Sequence, residues 1–322
     1  MLFKKLLITF VVSLSLIFNI TTIFAIDVYL GGESVGIVLN YDGVLITGAY
    51  EIEYHNQKYN PFDDFQPYDI IIQVNNQKIS SINDLTSEIE KCSDNIQVVV
   101  KRNNNNVDVN MKVAKNDQNF STGLYVKDSV KGIGTVTYYN PLTGQLACLG
   151  HSLQDENNQY LKNGTFYSTI IENIKKSTKL EVGKKIGSIE NDKIGTVRDN
   201  NDYGVFGNYL NQLKNKKLYQ TAQRDEIELG SAYFLTVLQD NTVSQCEIEI
   251  TELEEQNEIK EKGIHFKLTD KKIISKTNGI IQGMSGSPII QNNKLIGCVT
   301  HASSSNQLEG YGMYIEWMID KE

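Results

Sequence analysis

Beyond residue 26 the chain is a succession of short apolar runs separated by glycine, asparagine and aspartate. Gly36-Ile37-Val38-Leu39, Gly43-Val44-Leu45-Ile46 and Ile70-Ile71-Ile72-Gln73-Val74 read as strands. Asn75-Asn76 supplies a turn, since asparagine tolerates positive φ. Ser81 or Asn83 caps a helix over residues 84–91, in which Leu85 and Ile89 share a face. A strand over 96–100 follows, and 103–106 makes a hairpin loop into 107–113. Residues 116–121 turn polar and read as a linker. Further strands are predicted over 132–139, 145–149, 187–189, 194–197, 232–238, 246–251, 264–268, 289–290, 295–299 and 312–315. That spacing predicts an all-β barrel or sandwich, interrupted by one short helix over 169–176.

The first 26 residues differ. Lys4 and Lys5 precede an uncharged apolar run from Leu6 to Ile26, the layout of a secretory signal. Ala25 suits a cleavage site and Ile23 does not. The run also reaches the roughly 20 residues that a membrane anchor needs. On either reading the remainder is exported, with membrane contact through this segment. A chain of 322 residues accommodates two domains, here 27–116 and 117–322. The net charge of −8, without a dense basic stripe, argues against nucleic acid as a partner. Residues 247–261, acidic but interleaved with Ile and Leu, read as a solvated surface loop or strand edge. Cys92, Cys148, Cys246 and Cys298 form no Cys-x-x-Cys pair, so neither a metal site nor a cofactor is expected. Cys148 and Cys298 sit in apolar runs and read as core.

The strongest chemical signal is Gly283-Met284-Ser285-Gly286-Ser287-Pro288 before an apolar strand. Flanking glycines permit a tight turn that exposes Oγ and aims backbone N–H groups at one point. A serine hydroxyl needs a base. Of four histidines, His55 lies in a polar loop, His265 lies inside a strand, and His301 follows one and could line a pocket. His151 ends the apolar strand Ala147-Cys148-Leu149-Gly150-His151, where packing holds a ring that stays accessible.

The serine segment resembles the nucleophile turn of chymotrypsin-like peptidases, which implies Ser285 as nucleophile and the N–H groups of Gly283 and Ser285 as oxyanion hole. Residues 132–152, with Gly132-Ile133-Gly134-Thr135 and Leu149-Gly150-His151, closely resemble the opening of the SpoIVB (S55-type) sporulation peptidases. Residues 277–317 resemble their ending, through Asn278-Gly279-Ile280-Ile281-Gln282, the serine turn, Val299-Thr300-His301, Gly310-Tyr311-Gly312 and Ile315-Glu316-Trp317. Residues 183–187 and Tyr203-Gly204-Val205-Phe206-Gly207 also fit. The order of elements over 27–115 resembles a bacterial PDZ domain, with Tyr68 and Asn76 where that family carries glycines. The implied fold is mainly β: an N-terminal PDZ domain (α+β), then a chymotrypsin-like double β-barrel. The implied peptide-binding loop contains Gly31, Gly32, Val35 and Gly36, unless those glycines only make a turn.

The family implies His151 as general base and places an acidic partner on Asp270; Asp155, Asp199 and Asp202 compete for that role. Met284 stands where trypsin-like enzymes have an aspartate that pairs with a newly freed N-terminus, so activation by that ion pair is closed to this chain. The implied function is a signalling serine endopeptidase of the space around the forespore. It would cut the extracytoplasmic part of a membrane-bound regulator, and itself, with self-association also open. An HtrA-like quality-control peptidase and a non-catalytic PDZ scaffold are the alternatives. The former places its PDZ domain after the catalytic one, and the latter does not account for His151 and Ser285 together.

Overall fold

Alternation of buried and exposed positions builds nearly all of the structure from strands. In residues 246–250, for example, Cys246, Ile248 and Ile250 point inward while Glu247 and Glu249 point to solvent, so the acidic stretch is the wet face of a strand. The computed structural model describes residues 25–91, 94–116, 119–210, 213 and 216–321. The expected export segment falls on residues 1–26 and, but for its last two positions, lies outside the described residues, as does Cys92.

In chain order the strands are β1 (Asp27–Leu30), β2 (Ser34–Ala49), β3 (Ile52–Tyr54), β4 (Gln57–Tyr59), β5 (Ile70–Val74), β6 (Gln77–Lys78), β7 (Asn95–Arg102), β8 (Asn105–Lys112), β9 (Ala114–Asn116), β10 (Asn119–Ser121), β11 (Leu124–Asn140), β12 (Gln145–Cys148), β13 (Gly164–Lys175), β14 (Lys184–Asn201), β15 (Gly204–Tyr209), β16 (Leu218–Gln220), β17 (Gly230–Val237), β18 (Val243–Leu253), β19 (Ile264–Leu268), β20 (Pro288–Gln291), β21 (Lys294–Ala302) and β22 (Glu309–Tyr314). The α-helices are α1 (Ile82–Glu90), α2 (Lys271–Thr277) and α3 (Ile315–Ile319).

Two closed barrels result. The antiparallel pairings β2–β11, β11–β12, β12–β15, β15–β14, β14–β13 and β13–β2 return to their starting strand. The second barrel runs β17-β18-β19-β22-β21-β20. Closure leaves neither barrel an exposed edge. Val35, Ile37, Leu39, Val136 and Phe166 fill the first, and Phe234, Ile248, Phe266 and Ile289 fill the second. A further cluster, including Val28, Tyr138, Leu295, Met313 and Met318, joins elements of both barrels. This mainly β, two-barrel architecture is the one the chymotrypsin-like resemblance implies.

The expected boundary at 116/117 is not where the chain divides. β2 and β11 each run through the first barrel and on into a small α+β unit. β2 pairs with β11 over Ser34–Asn40 in the barrel and again over Leu45–Ala49 in the unit. The unit continues from β2 to β5, β7 and β8 around Val44, Ile71, Leu85, Ile96 and Val98. It is therefore an excursion out of the first barrel, and residues 27–40 belong to the barrel. The two strands expected over 36–39 and 43–46 are one, because pairing on β2 carries the backbone across polar Asn40 and Asp42.

This arrangement corrects the peptide-binding loop. The N–H groups of Gly31 and Gly32 are already donated to Thr137 O (3.0 Å) and Val136 O (2.8 Å). A Cβ on Gly31 would lie 2.0 Å from Val136 O. Val35 pairs with Gly134 on one side and Ser168 on the other, and Gly36 with Ile133 and Tyr167. Spent donors inside a sheet cannot hold a carboxylate. The helix expected over 169–176 is the strand β13 instead, paired along its length with β14; β-branched Thr169, Ile170 and Ile171 favour that outcome. The expected linker contains the β9–β10 hairpin. Ser81, not Asn83, caps α1, its Oγ accepting from Asp84 N at 3.1 Å.

The two turns where the resemblance places glycines keep left-handed geometry without them, Tyr68 at φ 70° and Asn76 at φ 65°. Asparagine tolerates this and tyrosine does not. Tyr68 is also 55% exposed and contributes little packing. Tyr68→Gly is therefore expected to stabilise the fold by about 0.5–1 kcal/mol, strain relief outweighing the backbone entropy lost by glycine. Urea unfolding with an unchanged m-value checks this; a lower midpoint would contradict it.

Candidate active site

His151 follows β12 of the first barrel and Ser285 precedes β20 of the second. Both line one cleft of about 440 Å³, together with Leu149, Gly283, Thr300 and His301. The structure thus brings His151 and Ser285 to one cleft. The remaining walls, including Ile133, Leu153 and Val182, carry no charged side chain.

The serine turn is fixed to both barrels by backbone chemistry. Thr135 N donates to Ser285 O at 2.9 Å, Thr135 Oγ1 to Gly283 O at 2.8 Å, and Thr137 Oγ1 to Gly286 O at 2.8 Å. From the second barrel, Gly286 N donates to Val299 O at 2.7 Å. Gly286 sits at φ 88°, and a Cβ there would lie 2.1 Å from Thr135 O and 2.4 Å from Leu149 N. Gly134 is bare because the Leu149 side chain occupies its Cβ space, at 2.1 Å. Leu149 itself is held at φ 72°, a costly conformation for leucine, and Gly150 follows at φ 69°. The strand end that delivers His151 is thus shaped by the same contacts that hold the serine turn.

Two further carbonyl contacts aim a pair of N–H groups. In a trans peptide the C=O and N–H point opposite ways. Gln282 O accepts from Lys185 N at 3.0 Å, turning Gly283 N–H away from Lys185 N. Met284 O accepts from Ser287 N at 2.9 Å, with the same consequence for Ser285 N–H. Neither N–H has a partner among the described residues, and both glycine and serine line the cleft. Gly283 adopts φ 93° with the Lys185 methylenes beneath it. Met284 is fully buried in the second barrel's core, and its Sδ accepts from Ile281 N at 3.5 Å. Packing and these hydrogen bonds, with no ion pair among the described residues, hold this turn.

The acidic partner expected on Asp270 is not beside His151. Asp270 Oδ1 caps α2, accepting from Lys272 N (2.9 Å) and Ile273 N (3.1 Å). The competing acids are also engaged elsewhere. Asp155 accepts from Tyr41 Oη at 2.7 Å, Asp202 from Tyr160 Oη at 2.6 Å, and Asp199 from Asn201 Nδ2 at 2.8 Å. His151 Nδ1 instead meets the carbonyl of Ser152 at 2.8 Å. That bond places the proton on Nδ1 and leaves Nε2 as acceptor. Burial holds the ring below its ordinary pKa, with the Ser152 bond opposing. Ser285 Oγ donates to Thr300 O at 3.0 Å and makes no hydrogen bond to His151.

A second imidazole, His301, stacks obliquely on His151 with 5.5 Å between centroids. Burial pushes it down to about 4, with His151 and Lys262 adding to the effect, so it is neutral. Its Nε2 lies 3.7 Å from Glu261 Oε2. Lys185, absent from the expected site, is the other functional neighbour; only its place near Gly183 and Gly187 in the family-like stretch hinted at it. At the molecule's far side, Arg224 binds Glu316 at 2.8 Å and stacks on Trp317, which gives the Ile315-Glu316-Trp317 ending a structural task.

A family model described as SpoIVB peptidase S55 matches residues 118–319, more than half of the chain. A comparison with curated proteins gives no match.

Because a base must be neutral and burial lowers the His151 pKa, the acid limb of serine reactivity should fall below pH 6.5. The rate of fluorophosphonate labelling against pH measures this. A half-maximum above 6.5 would mean that a negative group acts on the ring.

Proposed function

This chain belongs to the SpoIVB peptidase family of sporulation serine peptidases, and we propose that it cuts peptide bonds with Ser285 as nucleophile and His151 as general base. The observation that carries this reading is the pair of unpartnered N–H groups, Gly283 and Ser285, in the cleft shared by Ser285 and His151. Rotation of the Ser285 side chain off Thr300 O brings Oγ to His151 Nε2, which takes its proton as Oγ attacks the substrate carbonyl. The oxyanion accepts from Gly283 and Ser285 N–H, contributing a few kcal/mol per donor. His151 then protonates the leaving amine, and water, deprotonated by the same ring, releases the acyl group. The Ser152 carbonyl keeps the imidazole in the working tautomer. A neutral carbonyl stabilises the imidazolium less than a carboxylate does, so turnover is slow by the standard of buried Ser-His-Asp sites.

The natural substrate is the extracytoplasmic part of a membrane-bound regulator, and the enzyme's own chain is a second one. The basic-then-apolar stretch before residue 27 supports export and membrane contact. The α+β unit built on β5, β7, β8 and α1 takes a peptide of the substrate or partner in the PDZ manner, by strand addition.

Ser285→Ala should abolish fluorophosphonate labelling and lower cleavage on the order of 10⁴-fold or more, while the fold persists. Labelling that survives in the folded variant would rule out Ser285. The uncharged walls at Ile133, Leu153 and Val182 also predict a preference. Peptides with an apolar residue in this cleft should be cut at least tenfold faster than those with Lys or Asp, whose buried charge would find no partner. Equal rates across such a series would place the specificity pocket elsewhere.

A further inference from the structure

Lys185, the second residue of β14, is 6% exposed and lies behind the serine turn. Its Nζ contacts three hydroxyls: Thr236 Oγ1 of β17 at 2.8 Å, Ser34 Oγ of β2 at 3.1 Å and Thr135 Oγ1 of β11 at 3.2 Å. No carboxylate among the described residues lies within ion-pairing distance of it, and the one titratable group acting on it is Cys246 of β18. An ammonium has three N–H groups, and here it meets three acceptors. A charge buried without a counter-charge is costly, so a task is required of it.

We propose that Lys185 is a positioning residue of the oxyanion hole, holding the peptides on both sides of Gly283. Its backbone N–H fixes Gln282 O, and its ammonium acts through Thr135, whose Oγ1 accepts from Nζ and donates to Gly283 O at 2.8 Å. Its methylenes complete the seat, since a Cβ on Gly283 would lie 2.9 Å from Lys185 Cδ. The donor order depends on charge. An ammonium can only donate, so the Thr135 proton goes to Gly283 O. A neutral amine has a lone pair that competes for that proton and releases the carbonyl. Burial brings the pKa down to about 7, with Cys246 opposing. The ammonium is present below that value and lost as pH rises through it, so the oxyanion hole loosens on the alkaline side.

The inference rests on Ser285 being the nucleophile, and the test separates the two. The full chain, Ser285→Ala, Lys185→Met and Thr135→Val are compared from pH 5 to 9 for labelling rate, kcat and KM. Labelling retained in Ser285→Ala sinks the reading of the site itself. With that control blank, the unsubstituted chain should show an alkaline limb near pH 7. Both variants should lose that limb and drop kcat on the order of tenfold, with KM within about twofold, because a donor that acts on the oxyanion is felt in the transition state. Folded variants with native kcat and a retained limb overturn the proposal. Should Lys185→Met not fold, Thr135→Val, which leaves the lysine in place, carries the same two outcomes. The absence of any alkaline limb in the unsubstituted chain overturns it without a variant.

Discussion

Hydrogen bonds from Thr135 and Thr137 of β11 to the carbonyls of Gly283, Ser285 and Gly286 hold together a site whose parts come from two barrels. Each barrel is closed and buries its own core, so nothing in either alone fixes the distance between a histidine on one and a serine on the other. Backbone carbonyls are strong, obligatory acceptors, and satisfying three of them across the seam sets both distance and rotation. The two unpartnered N–H groups belong to the intervening peptides, whose carbonyls, Gln282 O and Met284 O, are held by Lys185 N and Ser287 N, and a planar peptide whose carbonyl is held leaves its N–H no freedom. The glycines in this region are required by the same contacts: any side chain on Gly286 would strike Thr135 O, and one on Gly134 would strike Leu149.

The geometry also explains how a turn lacking the activating aspartate of trypsin-like enzymes stays in place. Met284 is buried among the apolar residues of the second barrel, and the peptides around it are tied to Ile281, Ser287 and Thr135. An ion pair to a new N-terminus adds order where a loop is otherwise loose, whereas this loop already has backbone partners on both faces. The absence of a carboxylate on His151 Nδ1 has a comparable reason. The carbonyl of the next residue, Ser152, meets the ring at 2.8 Å, and that acceptor occupies the place a carboxylate would need.

Much of the fold was legible in the chain because strands filled by alternating apolar residues announce themselves. Residues 264–268 coincide with β19, and 70–74 with β5. The serine turn and the His151 strand end were legible for a different reason: glycines with no room for a Cβ leave a pattern. What escaped depends on long-range pairing. Residues 169–176 carry apolar positions that suit a helix, and pairing with β14, with the β-branched residues at 169–171, makes 169–175 a strand. The family resemblance implied Asp270 as a triad member, but Asp-Lys-Lys before an apolar turn is also a helix cap, and the carboxylate serves that. Gly31 and Gly32 looked like a loop because their partners, Val136 and Thr137, are a hundred residues away. Lys185 was marked only by its place between Gly183 and Gly187, since its surroundings are assembled from β2, β11, β17 and β18.

Continuity of β2 and β11 gives the α+β unit a mechanical connection to the catalytic seam. Ser34 and Thr135, two of the three hydroxyls around Lys185, sit at the barrel end of these strands, and the segments 45–49 and 124–127 sit in the unit. Between them the register jumps, Lys127 pairing with Leu45 and Ser129 with Asn40, so that residues 41–44 of β2 face one residue of β11. Such an irregularity bends a strand pair, so the unit can tilt against the barrel while both strands run on through it. A flexible tether would carry no such constraint. Two paired strands resist stretching and slippage, because a slip of one residue would turn Val35 and Ile37 out of the core and their neighbours into it. Displacement of the unit is therefore absorbed at the bulges or transmitted along β11 toward Thr135, the residue on which the serine turn hangs.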